Sequence, residues 1–407
     1  MKVLRRVLVA AALAARAPAF GLVAASLVVA CGGGGKEAKK PRPKKPKGDA
    51  VGALAAARAA AKAGDLETAH AKYTEAGQAR PDVAITEEHV KFLLENALPD
   101  KAVLVAKGYY EANPADGKGG FLYANALIGA GDFATAIEVT ENLIALDEKS
   151  AAGYEARGRA KILASLLDEG VEDLRKAVEL DPKNATYLTS LGSGLHQAKK
   201  PDEAALQLRA AIELDPENAR ALRLLGTVRR EQFETQESVS WLIKATKADA
   251  TDPEAWFQLA VSQNDLGDNL EAETSAQKAT ALAPSVSRYW YVYGEMLRIN
   301  KKSDDAIGAY RRAIEAKPPH PKAAGKLAKV LYESGKSAEA EVFLTELLQT
   351  DRDNADLYYN LGFAYAAQKK YRLGIEALEK YLELASKDDG LRKSAMDEIK
   401  ALKRKLK

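Results

Sequence analysis

Apolar residues recur at intervals of three and four through most of the chain beyond residue 50. They form stretches of about thirteen residues, separated by short turns of small and polar residues. Residues 121–146, for example, read FLYANALIGA, then GD, then FATAIEVTENLIAL. This spacing is typical of amphipathic helices, and two such stretches around a tight turn form a helical hairpin. The pattern therefore predicts an all-α protein built from helical hairpins.

The hairpins recur along the chain with a period of 34 residues. The segments ELDPKNATYLTSLG and ELDPENARALRLLG begin at Glu179 and Glu213. Prolines follow the same register after one step of 33, at Pro81, Pro114, Pro182, Pro216, Pro284 and Pro318. A fixed period of this length indicates a repeat array. We count ten units: 50–82, 83–116, 117–150, 151–184, 185–218, 219–252, 253–286, 287–320, 321–354 and 355–388.

The residues shared between units resemble the tetratricopeptide repeat family. That family has bulky residues at repeat positions 4, 11 and 24, Leu-Gly at 7 and 8, Ala at 20 and 27, and Pro at 32. Residues 185–218 match with Leu188, Leu191, Gly192, Leu195, Ala204, Leu208, Ala211 and Pro216. Units 287–320 and 355–388 match similarly, whereas 219–252 departs, with Arg229 at position 11 and Ser238 at position 20. The resemblance implies a right-handed α-solenoid of about ten helix-turn-helix units over residues 50–388.

The final segment, residues 389–407, has one apolar stripe on an otherwise charged helix. The stripe consists of Leu391, Ala395, Ile399, Leu402 and Leu406. The last unit of a solenoid leaves an apolar face without a neighbour, and a half-polar helix can cover it. We therefore predict a basic amphipathic capping helix at the C-terminus.

The first thirty residues have the layout of a secretory signal peptide. Residues 1–16 carry four basic residues and no acid, and residues 17–30 are uncharged. The apolar run is shorter than the roughly 20 residues that a spanning helix needs. It ends in LVVAC, with Cys31 as the only cysteine, and so resembles the lipobox of bacterial lipoproteins. The resemblance implies cleavage after residue 30 and lipidation of Cys31; an uncleaved signal anchor is the alternative.

Residues 31–49 have the composition of a flexible tether. Gly, Lys and Pro dominate this segment, and residues 36–48 hold seven Lys or Arg and one Glu. Such a tract either spaces the folded part from a membrane or binds an anionic surface. Gly32 follows the Cys, and the lack of Asp there favours, by the same resemblance, the outer membrane and a periplasm-facing protein. The basic residues of this tract also offset a net negative charge in the remainder of the chain, since residues 49–407 hold 49 basic and 56 acidic residues.

The sequence offers little for catalysis or for metal binding. A single Cys excludes a disulfide framework, and the four His residues are far apart in the chain. We find no phosphate-binding loop, no nucleophile elbow and no paired zinc histidines. The sequence therefore predicts that the protein is not an enzyme and has neither cofactor nor metal.

In the tetratricopeptide family, the first helix of each unit lines a concave groove through repeat positions 2, 5, 9, 12 and 13. Carried over to this chain, these positions predict a groove that is basic in its middle and aromatic towards the C-terminus. Arg and aromatic side chains together suit a peptide that bears carboxylates. Some of these side chains could instead pack against neighbouring repeats. The candidates are Arg220, Arg223, Arg230, Phe257, Asn264, Arg288, Tyr291, Arg298, Lys329, Tyr332, Tyr359 and Phe363.

Some relatives clamp a partner's C-terminal carboxylates with Lys and Asn at positions 5 and 9 of successive units, and this clamp is lacking. The corresponding residues are Phe121 and Asn125, then Glu155 and Arg159, then Thr189 and Ser193. The leading hypothesis is a lipid-anchored scaffold of the bacterial cell envelope that holds another envelope protein or peptide and supports assembly or secretion. The alternative is a self-associating structural spacer, so a homo-oligomer stays open. A nucleic-acid partner is not expected beyond the membrane.

Overall fold

The computed structural model describes residues 49–407. This part of the chain consists of twenty-one α-helices and no strands. Short connections join them, most often of three or four residues. The helices are α1 (Ala50–Lys62), α2 (Leu66–Ala79), α3 (Val83–Glu95), α4 (Pro99–Ala112), α5 (Gly117–Ala130), α6 (Phe133–Leu146), α7 (Ala151–Leu163), α8 (Leu167–Leu180), α9 (Ala185–Gln197), α10 (Pro201–Leu214), α11 (Ala219–Glu231), α12 (Thr235–Ala248), α13 (Pro253–Leu266), α14 (Asn269–Leu282), α15 (Ser287–Ile299), α16 (Ser303–Glu315), α17 (Ala323–Glu333), α18 (Ser337–Thr350), α19 (Ala355–Ala367), α20 (Tyr371–Leu384) and α21 (Arg392–Lys405).

Consecutive helices pack as hairpins, and each hairpin packs against the next one along the chain. Helices α1 to α20 form ten hairpins, and α21 packs against α20. The apolar core therefore runs along the array as a series of local clusters, since each unit touches only its neighbours. The predicted fold class, an α-solenoid of about ten helical hairpins with a C-terminal capping helix, is confirmed.

Small residues hold the two helices of a hairpin close together. A Cβ atom added to Gly192 in α9 would lie 2.6 Å from Leu208 Cγ in α10. Gly226 meets Leu242 in the same way, and Gly362 meets Leu378. Ala204 is fully buried on the facing helix. Repeat positions 8 and 20 thus take Gly and Ala because nothing larger fits between the helices.

The last residue of most units caps the first helix of the next. Asp116 accepts a hydrogen bond from the backbone N–H of Lys118, and Asn218 accepts one from Ala221. A side-chain oxygen at this place satisfies a backbone donor that the helix itself leaves free. The same role is taken by Asp49, Asp82, Ser150, Asn184, Asp252 and Asn354.

The unit that departs most from the repeat pattern is accommodated by polar contacts. Ser238 in α12 is fully buried, and its hydroxyl lies 2.8 Å from that of Ser262 in α13. Arg229 donates a 2.7 Å hydrogen bond to Glu234. Burying a polar group is tolerated when it has a partner, so hairpin α11–α12 keeps the geometry of the array.

The capping helix buries less of its stripe than the sequence predicts. Ala395, Ile399 and Leu402 are buried against α20, whereas Leu391 and Leu406 are exposed. The two exposed residues flank α21 rather than lie within it, so they extend past the face that α20 presents.

No helix within residues 49–407 combines the length and the apolarity required to cross a bilayer.

Candidate protein-binding groove

Direct contacts between first helices of neighbouring units show that these helices lie side by side. Arg159 in α7 donates a 2.9 Å hydrogen bond to Asn125 in α5, which lies 34 residues, or one repeat, earlier in the sequence. His196 in α9 and Glu231 in α11 lie 2.9 Å apart. Residues at equivalent or adjacent repeat positions therefore adjoin one another at these junctions, and we call the first helices, taken in chain order, the row of first helices.

Most of the predicted groove arginines form ion pairs within the array. Arg223 Nε lies 2.9 Å from Asp252 Oδ2, and both side chains are half-buried. Arg230 lies 3.8 Å from Asp265. The middle of the groove is therefore less basic than its arginines alone suggest, because an acid at the end of the same unit pairs with Arg223 and an acid of the next unit lies against Arg230.

Arg220 differs from these arginines, since it makes no ion pair within residues 49–407. The residue is exposed to solvent, yet its pKa is lowered from the ordinary arginine value, first by the bulk of protein around its guanidinium and then by the charge of Arg159, with Arg223 adding to the effect. Glu155 opposes the shift, but its carboxylate already accepts a 2.7 Å hydrogen bond from Ser190. An anion placed at Arg220 would relieve the repulsion among these guanidinium groups.

A second group of candidates surrounds Phe257 in α13. The Arg288 guanidinium lies 5.2 Å from the centre of the Phe257 ring, and Tyr289 packs against the same ring at 5.1 Å. Arg288 also pairs with Glu254, which accepts a 2.7 Å hydrogen bond from the Tyr289 hydroxyl. Arg288 is thus held by an acid and by an aromatic face.

Arg298 belongs to a network centred on Glu295. Arg298 lies 3.2 Å from Glu295, Lys326 lies 2.9 Å from it, and the Tyr310 hydroxyl donates a hydrogen bond to it. Burial alone would raise the pKa of Glu295, but these three hydrogen bonds hold it below its ordinary value. The Arg298 charge is therefore balanced within the array.

Aromatic side chains cluster towards the C-terminal end of the row. Tyr359 lies 4.9 Å from Phe363, and Tyr332 stacks on Phe363 at 6.1 Å. The Tyr359 hydroxyl lies 3.0 Å from that of Ser394 in the capping helix. These three rings are half-buried and form an apolar patch that still reaches solvent.

The remaining candidates lie singly in the row. Tyr291 stacks on His320 with ring centres 3.9 Å apart. Asn264 is half-buried, and Lys329 is exposed and lies 3.7 Å from Glu333. Cys31, with the predicted signal peptide and most of the tether, lies outside the described residues.

Sequence reasoning expected Glu295 to neutralise part of the arginine cluster, and Glu295 does pair with Arg298, but it missed Glu254 and Asp252, the acids that hold Arg288 and Arg223. Glu254 and Arg288 both occupy repeat position 2, one unit apart, so opposite charges at one repeat position are a usable signal. The pair of Arg223 with Asp252 was harder to foresee, because it joins repeat position 5 to the last position of the same unit.

Among the described residues, no three His, Asp or Glu side chains are arranged to hold a metal ion.

Helical hairpins that recur with a 34-residue period and pack each against the next define a helical repeat protein of the kind that scaffolds protein–protein interactions. Family models for tetratricopeptide repeats match residues 122–185, 190–253 and 253–286. The family model of the cytochrome c-type biogenesis protein H TPR domain matches residues 283–392. The chain is a tetratricopeptide repeat protein.

Curated relatives share only part of their length with this chain. Human tetratricopeptide repeat protein 7B is 26% identical over 131 residues, which is 32% of this chain and 16% of that protein. The mouse protein O-mannosyl-transferase TMTC3 is 26% identical over 145 residues, 32% of this chain and 16% of that protein. The chain thus spans about a sixth of the length of these relatives.

Among solved structures, a monomeric mutant of IFIT1 is similar in fold. Its TM-score is 0.53 at 15% sequence identity, and the match covers 81% of this chain and 80% of that chain. At this identity the likeness concerns the fold.

Proposed function

We propose that this protein is a lipid-anchored scaffold of the bacterial cell envelope, which holds a segment of another envelope protein against the row of first helices. The partner segment carries carboxylates, and the scaffold supports assembly or secretion of an envelope complex. The single observation that carries the proposal is the unpaired Arg220 guanidinium beside Arg159 in that row. The other candidate groove arginines pair with internal acids, so Arg220 is the candidate arginine that stays available to a partner.

The shape of the row supports an extended or helical peptide as the ligand. Arg220 lies in the sixth unit, and the rings of Phe257, Tyr332 and Phe363 follow in later units. A guanidinium binds a carboxylate by two hydrogen bonds, and rings supply flat apolar area at small entropic cost. A partner with an acidic residue followed by apolar residues satisfies both features.

The groove is tested by affinity capture from native membranes with chemical crosslinking. We expect the full chain to capture a partner that Arg220→Glu loses, because the substitution replaces attraction to a carboxylate by repulsion. Arg209→Glu is the matched control, since Arg209 is exposed on a second helix and pairs with Glu237.

The groove assignment fails if Arg220→Glu captures the same partner as the unaltered chain. It also fails if both variants lose the partner equally, because a general change of surface charge then explains the loss. Capture of the chain by itself alone supports the self-associating spacer instead.

The anchor is tested separately, at Cys31. We expect Cys31→Ser to move the protein from the membrane fraction to the soluble fraction, and mass spectrometry to find an acylated Cys31 at the N-terminus of the unaltered protein. An unmodified Cys31 in a chain that keeps residues 1–30 would support the signal anchor instead.

A further inference from the structure

A crevice of about 560 Å³ opens between the second helices of the first two units, α2 and α4, with α3 as its floor. It lies among second helices, whereas the groove described above is a row of first helices. Its walls are mainly apolar and include Ile85, Leu104, Val105 and Ala112. Its volume falls within the range of about 300–1,000 Å³ found for small-molecule sites.

The connection before α3 differs from the other connections of the array. Only Arg80, Pro81 and Asp82 join α2 to α3, whereas four residues join most other units, for instance residues 113–116 between α4 and α5. Pro81 lines the crevice. A connection that is one residue shorter changes how the first unit sits on the second, and the crevice lies at this junction.

Two glycines enlarge the crevice without any packing reason of their own. Gly77 lies within α2 and Gly108 within α4, and a Cβ atom added to either would meet nothing within 4 Å. Glycine inside a helix destabilises it by roughly 0.5–1 kcal/mol relative to alanine. Most other glycines within the described helices, such as Gly192 and Gly226, fill contacts that are too tight for a side chain. At Gly77 and Gly108 the missing side chains instead leave room for a ligand.

The polar groups of the crevice converge at one end. His70 Nδ1 lies 2.8 Å from His89 Nε2, which requires that at least one of these two nitrogens carries no proton. His89 is only 2% exposed and stacks on Tyr73. Lys101, also in the wall, is exposed and makes no ion pair in the part of the chain that the structure describes. The crevice therefore offers a long apolar wall, a histidine pair and one free ammonium group.

We propose that this crevice binds a single-chain amphiphile with an anionic head, such as a fatty acid. The alkyl chain would lie along Leu104 and Val105 and against the bare backbone at Gly77 and Gly108. The carboxylate would pair with Lys101, with the His70–His89 pair within reach of the head. The side chain of Leu104 is 69% exposed, and the alkyl chain would cover it.

The test is equilibrium dialysis of the full chain with radiolabelled dodecanoate below its micellar concentration. We expect saturable binding of one molecule. Gly108→Leu fills the crevice and should weaken binding at least about tenfold, since the alkyl chain loses its buried surface. Lys101→Gln should weaken binding of dodecanoate several-fold and leave binding of dodecanol unchanged.

Gly308→Leu is the matched control for Gly108→Leu. Gly308 lies within α16, where an added Cβ likewise meets nothing within 4 Å, but outside the crevice. The Gly308→Leu variant should bind dodecanoate as tightly as the unaltered chain does. Gly77→Leu provides a second filling variant, and circular dichroism checks that each variant is folded.

Absence of saturable binding would overturn the proposal, and so would unaltered binding by folded Gly108→Leu and Gly77→Leu. Equal binding of dodecanoate and of dodecyltrimethylammonium would contradict the assignment of an anionic head to Lys101. Binding only to vesicles of anionic phospholipid, and not to free dodecanoate, would assign the crevice to a membrane surface and contradict a single-molecule site.

Discussion

At the scale of single residues, one backbone position of the repeat is more constrained than its sequence suggests. Position 15, in the turn between the two helices, has a positive φ in all ten units. Glycine fills it in four units, at Gly64, Gly131, Gly267 and Gly335. The other six units place residues with side chains there, and left-handed backbone costs such residues about 1–2 kcal/mol.

Phe233 is the extreme case at this position, with φ of 63° and a side chain that is 93% exposed. We expect Phe233→Gly to raise the free energy of unfolding by about 0.5–1 kcal/mol, because glycine adopts positive φ without strain. Urea unfolding monitored by circular dichroism measures the change. Phe233→Ala is the control, since it removes the ring and keeps the Cβ. An equal gain from the alanine variant would assign the effect to the exposed ring instead.

His89 makes stability depend on pH. Burial, and then the neighbouring His70, lower its pKa to about 4, while burial and then the charge of Lys101 lower the pKa of His70. A histidine in the unfolded chain has a pKa of about 6.5, so the unfolded state binds more protons between these values. The contribution of neutral His89 is therefore complete above about pH 6.5 and is lost as the pH falls towards 4, on the order of 2–3 kcal/mol.

The pH dependence is measured by urea unfolding at pH 7.5 and pH 4.5. We expect His89→Gln to lose less stability between these two values than the unaltered chain, because glutamine does not titrate. The carboxylates that titrate over the same range are present in both proteins and cancel in the comparison. An equal loss of stability in both proteins would show that His89 does not contribute to the pH dependence.

At the scale of elements, the last helix has a structural role that its charge conceals. Helix α21 is rich in Lys and Arg, yet Ala395, Ile399 and Leu402 cover the apolar face of α20 formed by Ile375, Leu378 and Tyr381. Without α21, the final hairpin would expose this face to water. The basic residues then keep the outer surface of the cap soluble.

We expect Ile399→Asp to destabilise the C-terminal hairpin by about 3 kcal/mol, because it places a charge in an apolar contact. Met396→Asp, on the exposed face of the same helix, should have little effect. Amide hydrogen exchange distinguishes the two variants: in Ile399→Asp, faster exchange should be confined to α19, α20 and α21. Uniformly faster exchange along the array would contradict the local coupling expected of a repeat protein.

At the scale of the whole molecule, the sequence was sufficient to predict the fold. The fold follows from local features of the sequence: Gly192 and Ala204 mark where two helices touch, and Asn218 marks where the next unit begins. Each of these features acts within one unit or between neighbouring units, so it recurs in a periodic sequence. Even the irregular unit 219–252 follows the array, because Ser238 finds a hydroxyl partner in α13.

The candidate sites were less predictable because they depend on which side chains meet across units. Repeat positions placed Arg223 and Arg230 in the row of first helices, but their partners Asp252 and Asp265 lie at different repeat positions. The crevice at Gly77 and Gly108 depends on a junction shortened by one residue, and the sequence shows the deletion but not the space it opens. Periodicity predicts where a helix lies, and ion pairs and cavities depend on how its neighbours fill the remaining space.

The central claim is that a partner protein lies along the row of first helices near Arg220. Site-specific photocrosslinking in cells tests this claim most directly. A photoreactive amino acid would replace Thr186, which is exposed and occupies the same repeat position as Arg220 one unit earlier, or Leu206, which is 65% exposed on the second helix α10. We predict one crosslinked partner from position 186, lost when Arg220→Glu is added, and none from position 206. The same partner from position 206, or crosslinks from position 186 that persist with Arg220→Glu, would contradict the account.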